Sequence, residues 1–254
     1  MRFGREVESN SFPACSATDF GPVKSIGTNN DLARAALLSL SLLLLLAEAP
    51  KVNANVETPP GPEKSAAVSR EETGFEFLFS DAALKQWRQC GPGRFIVSKG
   101  VATGEGGMGL WWYSGKQFTN FILRGEFVQE QEIADSGVFL RFPDPKDDPW
   151  NAVHQGHEME IGDPNPKDPT WRTGSIYPFK ASIKANTKPV GQWNEYEITC
   201  IGQDYSVRMN GELVMTWTDP KQRSRSGYIG LQNYNDGKTV RHRNVRIKEL
   251  PLNK

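Results

Sequence analysis

The sequence predicts an all-β fold, a β-sandwich. Its apolar residues occur in short continuous or alternating runs, and a helical period is almost absent. Gly, Pro, Asn and Asp separate these runs at short intervals, as expected for strands joined by turns. All seven Trp and all six Tyr lie after residue 73, so one region holds the core. Many short strands without a repeat favour a sandwich.

The strands are predicted in chain order from these runs. They are FEFLF (75–79), RFIVSKGVA (94–102), GLWWYS (109–114), FTNFILRGEFVQE (118–130), SGVFLRF (136–142), HEMEIGD (157–163), TGSIYPF (173–179), WNEYEITCIG (193–202), YSVRMNGELVMTW (205–217), SGYIGLQNY (226–234) and RNVRIKEL (243–250). Asn210-Gly211 predicts a two-residue hairpin turn. The only helix predicted is a short one at Asp81–Trp87.

The first 73 residues are predicted to lie outside the folded domain. Ala35–Ala47 is uncharged and too short to span a bilayer, which needs about 20 apolar residues. It is typical of a signal-peptide h-region, and Val52–Ala54 supplies a small-x-small cleavage site. We therefore predict a leader at 1–54, a flexible linker at 55–73 and one domain at 74–250. The mature protein should be periplasmic or extracellular, without a membrane span.

The charge balance limits which binding partners we expect. Thirty basic and thirty acidic residues leave no formal net charge, and no basic tract is present. Nucleic acid is therefore not expected as a partner, and a small uncharged carbohydrate is compatible. An oxidising compartment would permit a bridge between Cys90 and Cys200, but the strand pattern around Cys200 favours a buried thiol.

The segment GHEMEIGD places three carboxylates within six residues. Side chains alternate along a strand, so Glu158 and Glu160 should share one face about 7 Å apart. Asp163 would join them if Gly162 introduces a bulge. The pattern is compatible with a solvated strand face, a catalytic cluster or a cation site.

A zinc site is not expected. His154 and His157 lack the spacing of a helical zinc motif, and His157 should point away from Glu158. No metal or cofactor is predicted, and a hard cation such as Ca²⁺ held by carboxylate oxygens is the alternative.

Aromatic residues flank the acidic strand. Of the adjacent Trp111 and Trp112, one should be in the core and the other available for stacking on a sugar. Trp150 and Trp171 lie in polar, Pro-rich segments, where they either line a carbohydrate groove or cap the sandwich.

Arg141 is predicted to lie beside aromatic residues. Alternation in GVFLRF places Val138, Leu140 and Phe142 on one face, and Phe139 and Arg141 on the other. Arg141 is therefore either a surface arginine or part of a site next to the acidic strand.

The order of these segments resembles one known family. GFEFLFSDAALKQW, SGVFLRF, GHEMEIGD, TGSIYP, GQWNEYEITCIG, MNGELV, GYIGLQNYN and RNVRIKEL follow one another as in the 3-keto-disaccharide hydrolase domain family. The resemblance covers 74–250 and implies a concanavalin A-like fold, a jelly-roll β-sandwich of two antiparallel sheets. It also implies cleavage of glycosides that are already oxidised to a ketone at sugar C3.

The resemblance implies the site residues by motif. Arg141, Glu158, Asp163 and Tyr177 match the positions of the family's arginine, glutamate, aspartate and tyrosine. The implied roles are base for Glu158, enolate stabiliser for Arg141 and proton donor for Asp163 or Tyr177.

Two positions depart from the family pattern. His157 stands where an aromatic residue is usual, and Glu160 stands where glutamine is common. We expect Glu160, His157 and Gln232 to contact the substrate together with the four tryptophans. Two alternatives stay open: a laminarinase-type glycoside hydrolase, whose E-x-D-x-x-E strand is similar, and a non-catalytic carbohydrate-binding module.

Overall fold

The computed structural model describes residues 72–162, 167–234 and 239–252. These residues form two antiparallel sheets packed face to face, so the predicted all-β sandwich is confirmed. The predicted leader at 1–54, its h-region at 35–47 and the linker up to residue 71 lie outside the described residues. Within the described part of the chain, no helix is long and apolar enough to cross a bilayer.

The large sheet has eight strands. They are β1 (Glu76–Phe77), β3 (Arg94–Ser98), β4 (Val101–Glu105), β6 (Phe121–Gln129), β10 (Asn194–Ile201), β11 (Asp204–Met209), β12 (Glu212–Thr218) and β14 (Val240–Glu249). Seven of them follow the order β12-β11-β10-β6-β14-β4-β3, and β1 pairs with β14.

The small sheet has six strands. They are β2 (Trp87–Cys90), β5 (Gly109–Phe118), β7 (Ser136–Phe142), β8 (His157–Ile161), β9 (Ile176–Tyr177) and β13 (Gly227–Asn233). Their order in the sheet is β2-β5-β13-β7-β8-β9. Two helices, α1 (Asp81–Leu84) and α2 (Trp150–Gln155), and a 3-10 helix at Pro169–Trp171 connect strands.

The predicted hairpin turn is confirmed, and the predicted helix is confirmed in part. Asn210 and Gly211 both have positive φ, 49° and 82°, between paired β11 and β12, as a type I′ turn requires. The predicted helix begins at Asp81 but ends at Leu84. Ser80 caps it by accepting a hydrogen bond from the backbone amide of Ala83.

The main core lies between the sheets. Phe121, Leu123 and Phe127 of β6 point into it, as their period-two spacing predicts, and meet Met159 and Leu231 from the small sheet. A second, smaller cluster lies on the outer face of the small sheet, under α2. It contains Cys90, Leu110, Phe139, Phe142 and Ala152. Helix α2 therefore covers one part of that outer face and leaves the part beside it for polar residues.

Candidate functional site

The two glutamates of β8 lie on the outer face of the small sheet. Glu158 pairs with Phe139 of β7 and with Tyr177 of β9, and Glu160 pairs with Gly137. Between them Met159 is fully buried in the core, as alternation along the strand requires. The two carboxylates therefore point away from the core but remain covered, at 3% and 7% exposure.

Gly137 makes room for the Glu158 carboxylate. A Cβ atom at position 137 would lie 2.0 Å from Glu158 Oε1, so no other residue fits there without moving that carboxylate. Glu158 Oε1 is buried and has no hydrogen-bond partner among the described residues. Buried polar atoms are nearly always paired, and an unpaired oxygen facing a pocket indicates a position for a ligand or water.

A third carboxylate, Asp135, joins the cluster from the residue before β7. Asp135 is half-buried. Asp135, Glu158 and Glu160 together line a pocket of about 90 Å³. Tyr177 and Gln232 line the same pocket and contribute a phenol and a primary amide. This combination of acids and neutral donors is suited to proton transfer.

Aromatic side chains form the rim of the pocket. Trp150 and Trp171 are 40% and 42% exposed, and Tyr234 is 44% exposed. Trp150 is carried by α2 and Trp171 by the 3-10 helix, which Asp168 caps by accepting from the backbone amide of Thr170. Exposed rings around a polar pocket are suited to stacking on the apolar faces of sugars.

The electrostatics of the pocket favour neutral acids. Burial, and then the charge of Asp135, raises the pKa of Glu158 well above its usual value. Burial raises the pKa of Glu160 in the same way, and Glu158 and Asp135 raise it further. Burial also raises the pKa of Tyr177, which keeps its phenol protonated at neutral pH. None of the described residues that line the pocket carries a positive charge.

Four larger hollows lie elsewhere among the described residues, and none of the four combines several carboxylates with a lining free of positive charge. Two hollows of about 450 Å³ each contain a single carboxylate, Asp204. That carboxylate already accepts a hydrogen bond from Thr218. The small acidic pocket is the better candidate site, because several carboxylates, one with a partnerless oxygen, meet there without a positively charged residue among the described ones that line it. In a hollow of about 390 Å³ elsewhere, the carboxylates of Glu72, Glu195 and Glu197 are instead paired with arginines.

The predicted placement of Arg141 is wrong. Arg141 is fully buried and packs over the rings of Phe121 and Tyr205 in the main core. Its backbone has φ +53°, and the register between β7 and β13 shifts next to it. This bulge breaks the alternation, so Phe142 turns to the outer face and Arg141 turns inwards.

The predicted contact of His157 with substrate is also wrong. His157 is fully buried on the inner side of β8. Its Nε2 lies 3.1 Å from Asp219 Oδ2, and its Nδ1 lies 3.2 Å from the Tyr205 hydroxyl. Arg141 Nη1 donates to the same hydroxyl at 3.2 Å and to the Gly202 carbonyl at 2.6 Å. Burial lowers the pKa of His157 to about 4, so this network holds a neutral imidazole.

Replacing Arg141 with methionine should therefore destabilise the fold and not the chemistry. The carbonyls of Thr119 and Gly202 and the Tyr205 hydroxyl would lose a donor. At about 1 kcal/mol or more for each buried group left unpaired, the free energy of unfolding should fall by about 3 kcal/mol. Urea unfolding measures this loss.

The matched control is Arg94→Met. Arg94 forms an exposed ion pair with Glu105, and its removal should cost less than about 1 kcal/mol. A variant at Arg141 that kept full stability but lost turnover would restore the predicted role of Arg141 in the site.

Two other predicted residues, Trp111 and Trp112, lie away from the pocket, and a third, Asp163, is not among the described residues. Trp111 is in the main core, stacked on Phe95 at 5.6 Å. Trp112 is on the outer face but packs edge-on against Tyr228 at 4.7 Å and does not line the pocket. One tryptophan is thus in the core, as expected, but the other is not a stacking platform in the pocket. Asp163 lies outside the described residues.

The structure brings together six of the predicted residues and adds three. Glu158, Glu160, Tyr177, Trp150, Trp171 and Gln232 line the pocket. Asp135, Val153 and Tyr234 were missed. Asp135 directly precedes SGVFLRF, and extending the alternation of that strand backwards from Phe139 would have placed it beside Glu160. No local signal distinguishes Val153.

Among the described residues, no three His, Cys, Asp or Glu side chains are arranged to hold a metal ion. The expected thiols Cys90 and Cys200 are both buried and unpaired with each other.

Solved structures similar to this chain share its fold. A candidate glycosyl hydrolase from Parabacteroides distasonis ATCC 8503 is 22% identical, with a TM-score of 0.58 over 69% of this chain and 99% of its own. A second from the same organism is 20% identical, with a TM-score of 0.60 over 72% and 98%. A Bacillus subtilis protein with a galectin-like fold is 12% identical, with a TM-score of 0.50 over 69% and 94%. At these identities the likeness establishes the fold alone.

No curated protein matches the chain. The sequence profile of a domain family described as 3-keto-alpha-glucoside-1,2-lyase-like matches residues 74–248, which is more than half of the chain. This match confirms the family that the order of its motifs resembles. The chain therefore belongs to the 3-keto-alpha-glucoside-1,2-lyase-like domain family.

Proposed function

We propose that this protein cleaves the glycosidic bond of disaccharides or other glycosides that carry a ketone at C3. The observation that carries the proposal is Glu158, a buried carboxylate with a partnerless oxygen in a pocket that also holds a phenol and an amide. The description of the family, a 3-keto-alpha-glucoside-1,2-lyase-like domain, supports this substrate class.

The chemistry follows from the ketone. A carbonyl at C3 acidifies the proton on C2 and places the glycosidic oxygen on the β carbon, C1. A base takes the C2 proton, and the C–H electron pair forms an enolate whose negative charge lies on the C3 oxygen. The enolate then reforms the carbonyl, a C1–C2 double bond forms and the C1–O bond breaks. The departing oxygen receives a proton and leaves as an alcohol. This route needs a base, donors to the enolate oxygen and an acid.

The pocket supplies a residue for each role. Glu158 is the proposed base, because its raised pKa suits a group that takes and returns a proton. Gln232 would replace Arg141 as donor to the enolate oxygen, since Arg141 is in the core. Tyr177, which pairs with Glu158 across β8 and β9, is the proposed acid. Asp163 stays the alternative proton donor.

One experiment tests the proposal. Purified protein is given native and 3-oxidised disaccharides side by side, with and without a chelator, and products are followed by mass spectrometry. Turnover of the oxidised sugar alone is expected. An unsaturated product indicates elimination, and the hydrated sugar indicates that water adds across the C1–C2 bond, which makes the net reaction hydrolysis. Turnover of native β-glucan would instead favour the laminarinase type, and loss of activity with chelator would add a cation to the mechanism.

The rim supports one alternative from another class. Trp150, Trp171 and Tyr234 would also suit a module that binds a sugar without cleaving it. Binding of both native and oxidised disaccharides, measured by calorimetry, without any product would favour that alternative.

We also propose that the protein is exported, from the uncharged run Ala35–Ala47 and the cleavage site that follows it. The mature chain should begin near Asn55 and be recovered outside the cytoplasm. N-terminal sequencing of the native protein checks this, and a chain that begins at Met1 or retains the h-region would contradict it.

A further inference from the structure

His242 of β14 is buried in the core, and the proposed mechanism does not use it. Its ring is fully buried and packs edge-on against Phe95 at 5.8 Å. Its Nε2 lies 3.2 Å from the hydroxyl of Ser136 on β7, so this contact joins the large sheet to the small one. Its Nδ1 is buried and has no hydrogen-bond partner among the described residues. A buried polar side chain that links the sheets at this place needs a reason.

The hydrogen of the Ser136 hydroxyl determines the direction of this contact. Ser136 Oγ lies 2.6 Å from the carbonyl oxygen of Gln232. Two oxygens approach so closely only with a hydrogen between them, and a carbonyl has none to give. Ser136 therefore donates to Gln232, and its oxygen is left to accept from His242. The imidazole must then carry its hydrogen on Nε2, which leaves Nδ1 without one, and burial lowers the pKa of His242 to about 3.

Ser136 binds Gln232 where the backbone pairing of two strands ends. The last pair of residues that β7 and β13 share is Val138 and Leu231. Gln232 follows Leu231 in β13, and the Ser136 hydroxyl binds its carbonyl just beyond that last pair. A side-chain hydrogen bond therefore takes the place of the backbone ladder at this point. The next side chain outwards from it is the Gln232 amide, which lines the pocket.

The same end of β7 receives a second hydrogen bond from the large sheet. Gln129 of β6 is buried, and its Nε2 donates to the carbonyl of Ala134 at 2.7 Å. Ala134 and Ser136 lie on either side of Asp135, which lines the pocket, and Gly137 makes room for the base. Inward groups held by the large sheet thus alternate with outward groups of the pocket.

We propose that Ser136 and His242 are positioning residues, because the hydrogen-bond chain from His242 through Ser136 fixes the backbone of Gln232 and so aims its side-chain amide into the pocket. Side chains project from a strand in a direction that its backbone sets, so a held carbonyl holds the amide as well. Neither residue touches the substrate. The effect on turnover rests on the proposed function, in which Gln232 donates to the enolate oxygen, whereas the hydrogen-bond chain does not.

A test without substrate examines the hydrogen-bond chain. Long-range proton–nitrogen NMR spectra of the ¹⁵N-labelled protein at neutral pH should show a neutral His242 ring with its hydrogen on Nε2. The spectrum of His242→Phe identifies these signals, and that of Gln232→Ala identifies the side-chain amide of Gln232. Ser136→Ala should shift both sets of signals. A His242 ring with a hydrogen on Nδ1, or Gln232 amide signals that do not move in Ser136→Ala, would overturn the proposal.

A kinetic test examines the positioning role. Ser136→Ala should lower the turnover of a 3-oxidised disaccharide by about tenfold, less than the about 10²–10³-fold lost with an oxyanion donor, because the amide is displaced and not removed. His242→Phe keeps a ring against Phe95 and the bond from Ser136 to Gln232, so its loss should be smaller. This variant and its Gln232 amide signals carry the test if Ser136→Ala does not fold.

The matched control is Val240→Ala. Val240 lies in the core on the same face of β14 as His242, two residues before it, and takes no part in the hydrogen-bond chain. Its replacement should lower the thermal melting midpoint and leave turnover at the wild-type value while the protein stays folded. A loss of turnover in Val240→Ala as large as that in Ser136→Ala would show that stability alone is responsible and would contradict the positioning role.

The double variant Ser136→Ala/Gln232→Ala tests whether Ser136 acts through the amide. If it does, its replacement should cost little once the amide is absent, and the double variant should turn over like Gln232→Ala. If the losses of the two single variants multiply, the positioning role is wrong. If neither the wild type nor any variant turns over a 3-oxidised sugar, the proposed function fails, and the NMR spectra alone decide whether Ser136 and His242 position Gln232.

Discussion

Replacing Glu158 with glutamine should lower the turnover of a 3-oxidised disaccharide by about 10²–10⁴-fold, the usual contribution of a general base. Glutamine keeps the shape of the side chain and its hydrogen-bonding atoms but cannot take the C2 proton. The affinity for the sugar should change little, because the rim residues Trp150 and Trp171 are untouched. Steady-state kinetics and calorimetry measure the two quantities.

A second readout isolates the base. In D₂O the wild type should exchange the C2 hydrogen of a 3-keto sugar that has no leaving group, and Glu158→Gln should not. Glu160→Gln is the matched control, two residues along the same strand and facing the same pocket. Equal losses of turnover in both variants would indicate a shared dyad or a metal. Full activity in Glu158→Gln would show that the catalytic base does not lie on this strand.

Replacing Gly137 with alanine should lower turnover by about 10²-fold, because a displacement of about 1 Å at a reacting group has that effect. The new methyl group would come within 2.0 Å of Glu158 Oε1, so the carboxylate must move. The atom that gives way is the end of a flexible side chain, and the fold should therefore be retained. A thermal melting midpoint near that of the wild type checks this.

The double variant Gly137→Ala/Glu158→Gln tests whether Gly137 acts through the Glu158 carboxylate. If Gly137 acts through the position of the Glu158 carboxylate, the methyl group should cost little more once that carboxylate is replaced. If the turnover losses of the two single variants multiply in the double variant, Gly137 affects turnover by another route, for example through the backbone of β7.

The strand HEMEI shows how far local reasoning reaches. Side chains on a strand alternate, so Met159 had to face the core if Glu158 and Glu160 faced outwards, and the structure places all three so. The turn at Asn210-Gly211 was equally predictable, because few residue pairs adopt positive φ at both positions. Both features depend on neighbouring residues only.

The face on which Arg141 lies could not be predicted from neighbouring residues. The same alternation placed it on the outer face, and a single bulge opposite β13 reversed it. The bulge forms where the register of β7 changes against a strand more than 80 residues later in the chain, and nothing in GVFLRF reports that register. The expected contact of His157 with substrate failed for a different reason. Alternation already placed His157 on the face opposite Glu158, and there it is buried against Tyr205 and Asp219, which are distant in sequence.

The sequence by itself determined the all-β class, the order of the motifs and the strand that carries the carboxylates. These follow from side-chain periodicity and turn residues, which act over a few positions. Only the tertiary structure decided which groups meet: Asp135 and Glu160 in one pocket, Glu158 over Gly137, and Tyr177 opposite Glu158. It also raises the pKa values of Glu158 and Glu160, because the pKa of a carboxyl depends on burial and on charges that strand pairing brings close.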